Sequence, residues 1–125
     1  MRLMPVPRRC TATGTPVVPQ GGHTSLNGSS QPHANDSEIL IPTTRLNRIR
    51  EIDLDNDTIT VDAGVVLATI QDTAREAGRA FPFSPGAEES CQIGGNISTN
   101  ADGIQVVRYG NTRAWVTGLL PDEPV

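Results

Sequence analysis

The sequence predicts an α+β domain. Two short apolar runs indicate strands, a later pair of runs indicates a hairpin, and an amphipathic helix follows that hairpin. A chain of 125 residues is about one domain long, and it shows no internal repeat. Strands and helices mixed in this way favour α+β.

Composition limits both the core and the function. Hydrophobic content is 36% and aromatic content 3%, so we expect a small core. The net charge of −4 argues against nucleic acid as a partner, because that function needs a basic patch. All ten basic residues are arginine, which excludes a phosphate-binding or Schiff-base lysine. No run approaches the ~20 apolar residues of a transmembrane segment.

The first half of the chain contains two predicted strands. Residues 1–15 show no periodicity, so we expect residues 1–13 to be irregular. Residues 16–19 read as a short strand that leads into the glycine-rich turn 20–28. Residues 39–41 read as a buried strand that ends at Pro42.

A hairpin and a helix follow. Residues 58–63 alternate cleanly between apolar and polar, residues 48–53 alternate imperfectly, and residues 54–57 carry turn-forming Asp and Asn. Apolar residues then recur at helical spacing over about 67–77, and Gly78 is suited to end that helix.

The first candidate site is the segment Pro-Gln-Gly-Gly-His-Thr-Ser at residues 19–25. Successive backbone N–H groups can bind a diphosphate without any cation, and paired glycines accept the required conformation. The segment matches neither the G-x-G-x-x-G nor the G-K-[ST] pattern, and taken alone it is more typical of a plain surface turn.

The second candidate site covers residues 90–101, which are rich in small side chains and carboxamides. Small residues let a flat ring lie against the backbone, while amides offer neutral donors and acceptors. A tightly packed helix or turn would need the same residues. In isolation the two interpretations are about equal.

Five ordered motifs extend the argument. They are P-x-G-G-x-T-x-L-x-G, L-N-R-I-x-E-I-D, T-V-x-A-G, S-C-x-I-G-G-N-x-x-T-N-A-x-G and R-Y-G-x-T-R, within residues 19–28, 46–53, 60–64, 90–103 and 108–113. In this order they resemble the FAD-linked oxidase family. The nearest branch contains glycolate oxidase, D-lactate dehydrogenase and D-2-hydroxyglutarate dehydrogenase.

The resemblance implies a partial two-subdomain FAD-binding domain of the PCMH, or vanillyl-alcohol-oxidase-like, type. It implies FAD as cofactor and an oxidoreductase that passes a hydride from a 2-hydroxy acid to the flavin, which gives a 2-oxo acid. The cofactor-binding residues that it implies are Pro19, Gln20, Gly21, Gly22, His23, Thr24, Ser25, Gly28, Gly86, Ala87, Ser90, Cys91, Gly94, Gly95, Asn96, Thr99 and Asn100.

No catalytic residue and no metal ligand can be assigned. In the related enzymes the histidine base and histidine metal ligands lie further along the chain, and neither His23 nor His33 matches them. We expect His23 to be a polar loop residue and not a covalent flavin link. Cys91 is better interpreted as a small packing residue than as a nucleophile.

The organisation that the resemblance implies is an irregular remnant of a missing N-terminal unit over residues 1–13, a partial FAD-binding domain over residues 14–120 and a tail over 121–125, with the substrate domain absent. A small 2-hydroxy acid would then bind only if that domain were supplied. The alternative is a non-catalytic truncated remnant that binds FAD weakly or not at all. A more distant alternative is a nucleotide-binding or structural domain. Two cysteines are too few for a disulfide framework, so we expect a reducing, cytoplasmic location.

Overall fold

The computed structural model of the chain describes residues 5–35 and 37–120, so the predicted tail 121–125 lies outside the described residues. The elements are α1 (Pro5–Thr13), β1 (Val17–Gln20), β2 (Ile39–Pro42), β3 (Ile49–Asp53), β4 (Thr58–Val61), α2 (Leu67–Glu76), α3 (Ile93–Thr99), α4 (Val106–Tyr109) and a 3₁₀ turn (Thr112–Trp115). The predicted mixture of helices and strands is confirmed. In the described part of the chain, no helix has the length and apolar character needed to cross a membrane.

Helix α1 corrects the prediction of an irregular segment over residues 1–13. Pro5 and Pro7 fall in its first turn, where the backbone N–H groups of a helix have no intrahelical partner, so neither proline interrupts it. Cys10 is buried. The helix ends at Thr13, and the Gly14 that follows adopts a φ of 65°.

Strands β1 and β2 form a two-stranded parallel sheet in the register Val17↔Ile39 to Gln20↔Pro42. The Ile39 N–H donates to the Pro16 carbonyl at 2.9 Å, and the Thr43 N–H donates to the Gln20 carbonyl at 2.8 Å. In this register the backbone nitrogens of Pro19 and Pro42 face away from the partner strand, so the missing N–H groups cost no ladder bond.

The prediction that residues 39–41 form a buried strand is half correct. The strand is present, but Ile39 is 42% exposed and Leu40 is 39% exposed. Successive residues of a strand point to opposite faces, so both faces of this small sheet are open. Apolar composition specifies the strand, but it cannot specify whether another layer covers it.

Strands β3 and β4 pair antiparallel, as predicted from their alternation, with an irregularity between Ile49 and Glu51. Asp53 stabilises the turn, because its Oδ1 accepts the N–H groups of Asp55 at 3.0 Å and Asn56 at 3.1 Å. Asp57 completes the turn with a φ of 53°.

Helix α2 packs its apolar face into two small core clusters. The first contains Val65, Ile70 and Ile93, and the second contains Leu67, Phe83 and Cys91. The clusters join the hairpin, α2 and the start of α3. The core therefore lies directly behind the second glycine-rich segment and fixes its position.

An ion-pair cluster anchors the hairpin. Asp62 is buried, and its carboxylate accepts hydrogen bonds from the Nε atoms of Arg48 at 3.1 Å and Arg50 at 2.5 Å. Burial alone would raise the pKa of Asp62, but the hydrogen bonds from Arg50 and Arg48 outweigh it, so the pKa is lowered from 3.8.

Candidate functional site

The two glycine-rich segments lie against each other. A Cβ placed on Gly21 would be 4.0 Å from the Cα of Gly95. A Cβ placed on Gly22 would overlap the Ser90 carbonyl oxygen and stand 3.1 Å from the Cα of Cys91. Segments separated by about seventy positions in the sequence thus form one contact, and only glycine at position 22 permits it.

A short hydrogen-bond chain holds this contact together. The Thr43 N–H, just after β2, donates to the Gln20 carbonyl at the end of β1. The Thr43 hydroxyl donates to Gln92 Oε1 at 2.5 Å and also lies 3.1 Å from the Gln20 carbonyl. Sequence reasoning missed both Thr43 and Gln92, because their types are common and 49 positions separate them.

The loop after β1 presents unused backbone donors. Within the described part of the chain, none of the N–H groups of residues 21–25 donates a hydrogen bond to the protein. His23 in the middle of the loop has a φ of 56°, in the left-handed region. A left-handed residue within a run of free N–H groups is typical of anion-binding backbone nests.

Side chains in the same loop bond to one another and stabilise its shape. Gln20 Nε2 donates to the Ser30 carbonyl at 2.9 Å, and His23 Nδ1 lies 3.1 Å from the Ser30 hydroxyl. The Ser25 hydroxyl donates to Asn27 Oδ1 at 2.5 Å. His23 therefore acts in the structure as a loop-stabilising polar residue.

The outer part of the loop is exposed. Thr24, Ser25 and Gly28 are exposed, and Gly28 has a φ of 73° with open space around it. Of the predicted residues in this loop, Gly21 and Gly22 contact the second segment. Thr24, Ser25 and Gly28 contribute to the site at most by shaping the loop itself.

Residues 86–91 form a turn before α3. The Ala87 carbonyl accepts the N–H groups of Ser90 at 3.0 Å and Cys91 at 2.8 Å. Gly86 has nothing within 4 Å of a Cβ position. Through the Ser90 contact with Gly22, this turn adjoins the free N–H groups of the first loop.

The adjacent glycines of α3 differ in what they face. A Cβ on Gly94 would stand 2.7 Å from the Ala63 Cβ and 2.8 Å from the Ala63 carbonyl oxygen, whereas a Cβ on Gly95 would meet nothing within 4 Å. Gly94 is therefore required for packing. Gly95 leaves open backbone on the side where a Cβ would stand.

Cys91 and Asn96 lie inside the protein. Cys91 is 4% exposed in the cluster with Leu67 and Phe83, and burial raises the pKa of its thiol. A protonated, enclosed thiol is a poor nucleophile, which agrees with its predicted packing role. Asn96 is also buried, and its Oδ1 has no hydrogen-bond partner among the described residues.

Thr99 and Asn100 stand at the far end of α3, away from the contact between Gly21 and Gly95. The Thr99 hydroxyl donates to the Gly95 carbonyl at 2.9 Å. Asn100 ends the helix with a φ of 52°, and its Oδ1 accepts the Arg113 N–H at 3.1 Å. Both side chains stabilise α3.

The arrangement fits a ligand with a diphosphate and a flat ring. Free N–H groups supply the anion donors, and Gly86 and Gly95 leave backbone that such a ring can approach where a Cβ would fill the space. In the part of the chain that the structure describes, no group of three or more His, Cys, Asp or Glu is placed to hold a metal ion.

Comparison with known proteins gives a consistent result. The model of a family described as "FAD binding domain" matches residues 5–120. A D-2-hydroxyglutarate dehydrogenase of Xanthomonas citri pv. viticola is 45% identical over 91% of the chain and 24% of its own length. The mitochondrial D-2-hydroxyglutarate dehydrogenase of Danio rerio is 39% identical over 90% of the chain and 21% of its own length. A putative mitochondrial D-lactate dehydrogenase of Schizosaccharomyces pombe is 38% identical over 90% of the chain and 22% of its length.

Solved structures show the same fold. A structure of alkyldihydroxyacetonephosphate synthase superposes with a TM-score of 0.77 at 19% identity and covers 86% of this chain and 20% of that one. The predicted partial FAD-binding fold is therefore confirmed. The chain spans about a quarter or less of the length of the relatives that it matches.

Proposed function

Because this chain belongs to the FAD binding domain family, we propose that it forms the cofactor-binding part of an oxidoreductase that converts a 2-hydroxy acid into a 2-oxo acid. The relatives named as D-2-hydroxyglutarate and D-lactate dehydrogenases support this reaction class. One observation carries the proposal for the site: the loop 21–25, whose N–H groups make no hydrogen bond to the described residues, contacts Gly95 through Gly21 and Ser90 through Gly22.

The proposed binding residues divide into three groups. The N–H groups of residues 21–25 would hold the diphosphate, and Gln20 would stabilise that loop through Ser30. The backbone around Gly86 and Gly95 would lie along the rest of the cofactor. The remaining predicted residues would act by packing or by shaping the loops: Pro19, Gly28, Ala87, Ser90, Cys91, Gly94, Asn96, Thr99 and Asn100. When bound, FAD supplies the acceptor for the two electrons removed from the hydroxy acid.

We propose that the residues that bind and deprotonate the hydroxy acid lie outside this chain. His23 is engaged with Ser30, and Glu38 Oε1 holds His33 Nδ1 at 2.9 Å in an exposed loop. Neither imidazole lies within 4 Å of the Cβ position of Gly95. The FAD-binding domain proposed for residues 14–120 would then act only together with a substrate-binding part. Cys10 and Cys91 are buried and unpaired, which supports a reducing location such as the cytoplasm.

A second candidate is a non-catalytic module that binds FAD weakly or not at all. The exposed apolar side chains of β2, Ile39 and Leu40, favour it, because parallel sheets are normally covered on both faces. An uncovered sheet would lower the stability of the site that β1 and β2 support.

The two candidates differ in a simple binding measurement. We expect the purified chain to keep a visible flavin band after desalting, and to show no turnover of lactate, glycolate or 2-hydroxyglutarate with a dye acceptor. A colourless protein that also fails to quench FAD fluorescence would favour the non-binding candidate. Turnover of any of the three acids would contradict the proposed need for a further part.

A further inference from the structure

Gln92 occupies a fixed position between the two glycine-rich segments. Its backbone pairs with Val66 in an isolated bridge, and its carbonyl accepts the Asn96 N–H at 3.1 Å. The residue is 5% exposed. A Cβ placed on Gly21 would be 3.6 Å from both Cβ and Oε1 of Gln92, so the side chain passes directly beside that glycine.

The two ends of the Gln92 carboxamide have different surroundings. Oε1 accepts the Thr43 hydroxyl at 2.5 Å, which orients the amide plane. Nε2 makes no hydrogen bond to the described residues. Gln92 Nε2 is not among the fully enclosed side-chain polar atoms that lack a partner in that part of the chain. An almost wholly buried side chain thus holds its carboxamide beside Gly21, with Oε1 as the amide atom nearest the Gly21 Cβ position and Nε2 without a partner among the described residues.

We propose that Gln92 Nε2 donates a hydrogen bond to the diphosphate of FAD, an inference that rests on the proposed function. The Gly21 N–H is the first of the free backbone donors, so a diphosphate bound to that loop lies next to the Gln92 carboxamide. The donor is neutral and already oriented by Thr43. Binding therefore needs little loss of side-chain freedom, and the added hydrogen bond to a charged group is of the stronger kind.

The Gln92→Glu variant tests this directly. The shape is preserved and an oxygen remains to accept from Thr43, but the N–H donor is replaced by a carboxylate oxygen. We expect the Kd for FAD to rise by about tenfold to a hundredfold, the range for losing a hydrogen bond to a charged group. The matched control is Gln105→Glu, which adds the same charge at an exposed position and should leave the Kd within about twofold.

Two smaller ligands locate the contact. ADP carries the diphosphate without the flavin, and riboflavin carries the flavin without a phosphate. We expect Gln92→Glu to weaken ADP as much as FAD and to leave riboflavin unchanged. If Gln92→Glu weakened the binding of riboflavin and not that of ADP, the assignment of the donor to the diphosphate would be overturned.

The outcomes also separate this inference from the proposed function. If the unaltered chain does not bind FAD, the proposed function fails. If it binds FAD and Gln92→Glu behaves like Gln105→Glu, only the role of Gln92 fails. Should Gln92→Glu not fold, the ¹⁵N-labelled carboxamide of Gln92, assigned through its proximity to Thr43, decides in the unaltered chain. A shift on saturation with ADP supports the contact, and an unchanged signal overturns it.

Discussion

Replacing each of the adjacent glycines of α3 by alanine should have opposite effects on stability. Alanine gains about 0.5–1 kcal/mol over glycine inside a helix, and both variants share this gain. At Gly94 the new Cβ must displace Ala63, whose Cβ and carbonyl oxygen would be 2.7 and 2.8 Å away. Such overpacking costs about 1–3 kcal/mol. At Gly95 the Cβ meets nothing within 4 Å, so only the gain remains.

The difference between the two variants isolates the overlap. We expect Gly95→Ala to exceed Gly94→Ala in free energy of unfolding by about 1–3 kcal/mol. For a domain of this length that corresponds to roughly 3–6 °C in Tm per kcal/mol. Thermal denaturation of the chain without ligand, followed by circular dichroism, measures it. Equal Tm values for the two variants would refute the packing argument.

FAD binding should follow a different order from stability. In Gly95→Ala the methyl group fills backbone surface that the cofactor is proposed to approach, so we expect the Kd for FAD to rise by at least about tenfold, which corresponds to ~1.4 kcal/mol. If Gly95→Ala is more stable but binds FAD less tightly, residue 95 affects cofactor binding independently of the packing of the core. An unchanged Kd for Gly95→Ala would show that the cofactor does not approach this residue.

Two further predictions concern buried groups. Hydrogen bonds from Arg50 and Arg48 outweigh burial and lower the pKa of Asp62 from 3.8. The ionised carboxylate therefore stabilises the folded state above about pH 4, and this stabilisation is lost as pH falls through the lowered pKa. Asp62→Asn should lower the free energy of unfolding by about 1–3 kcal/mol at pH 7. In urea denaturation at a series of pH values, the variant should also lose less stability at acid pH than the unaltered chain does. An equal loss in the two chains would contradict this. Cys10 and Cys91 should react with iodoacetamide only after unfolding, because both are buried. Mass spectrometry of the labelled protein measures this. Rapid labelling of the native chain would refute their burial.

The hairpin and α2 were predictable because each depends on local periodicity. Ile59 and Val61 alternate with polar residues, and Ile70 lies on the apolar stripe of its helix, so neighbouring residues already specify the element. Helix α1 was not predicted, because residues 1–15 show no periodicity. Pro5 and Pro7 fall in its first turn, where proline is tolerated, and Cys10 is buried.

The glycine-rich segments could be located from the sequence, but the roles of individual glycines could not. Gly94 and Gly95 are identical in type and adjacent, and only their surroundings show that one packs against Ala63 while the other leaves open surface. The Thr43–Gln92 hydrogen bond was also out of reach. It depends on how the end of β2 meets the start of α3, which no local pattern encodes.

The backbone character of the loop 21–25 has a consequence for how the chain tolerates change. Peptide N–H groups do not titrate, so the donors proposed to bind an anion in this loop keep their charge state across the neutral range. Substitutions at His23 or Thr24 leave those donors in the polypeptide as long as the loop keeps its path. Gly22, pressed against Ser90, controls that path. Selection on this site therefore acts on the shape of the main chain far more than on the identity of the side chains that it carries.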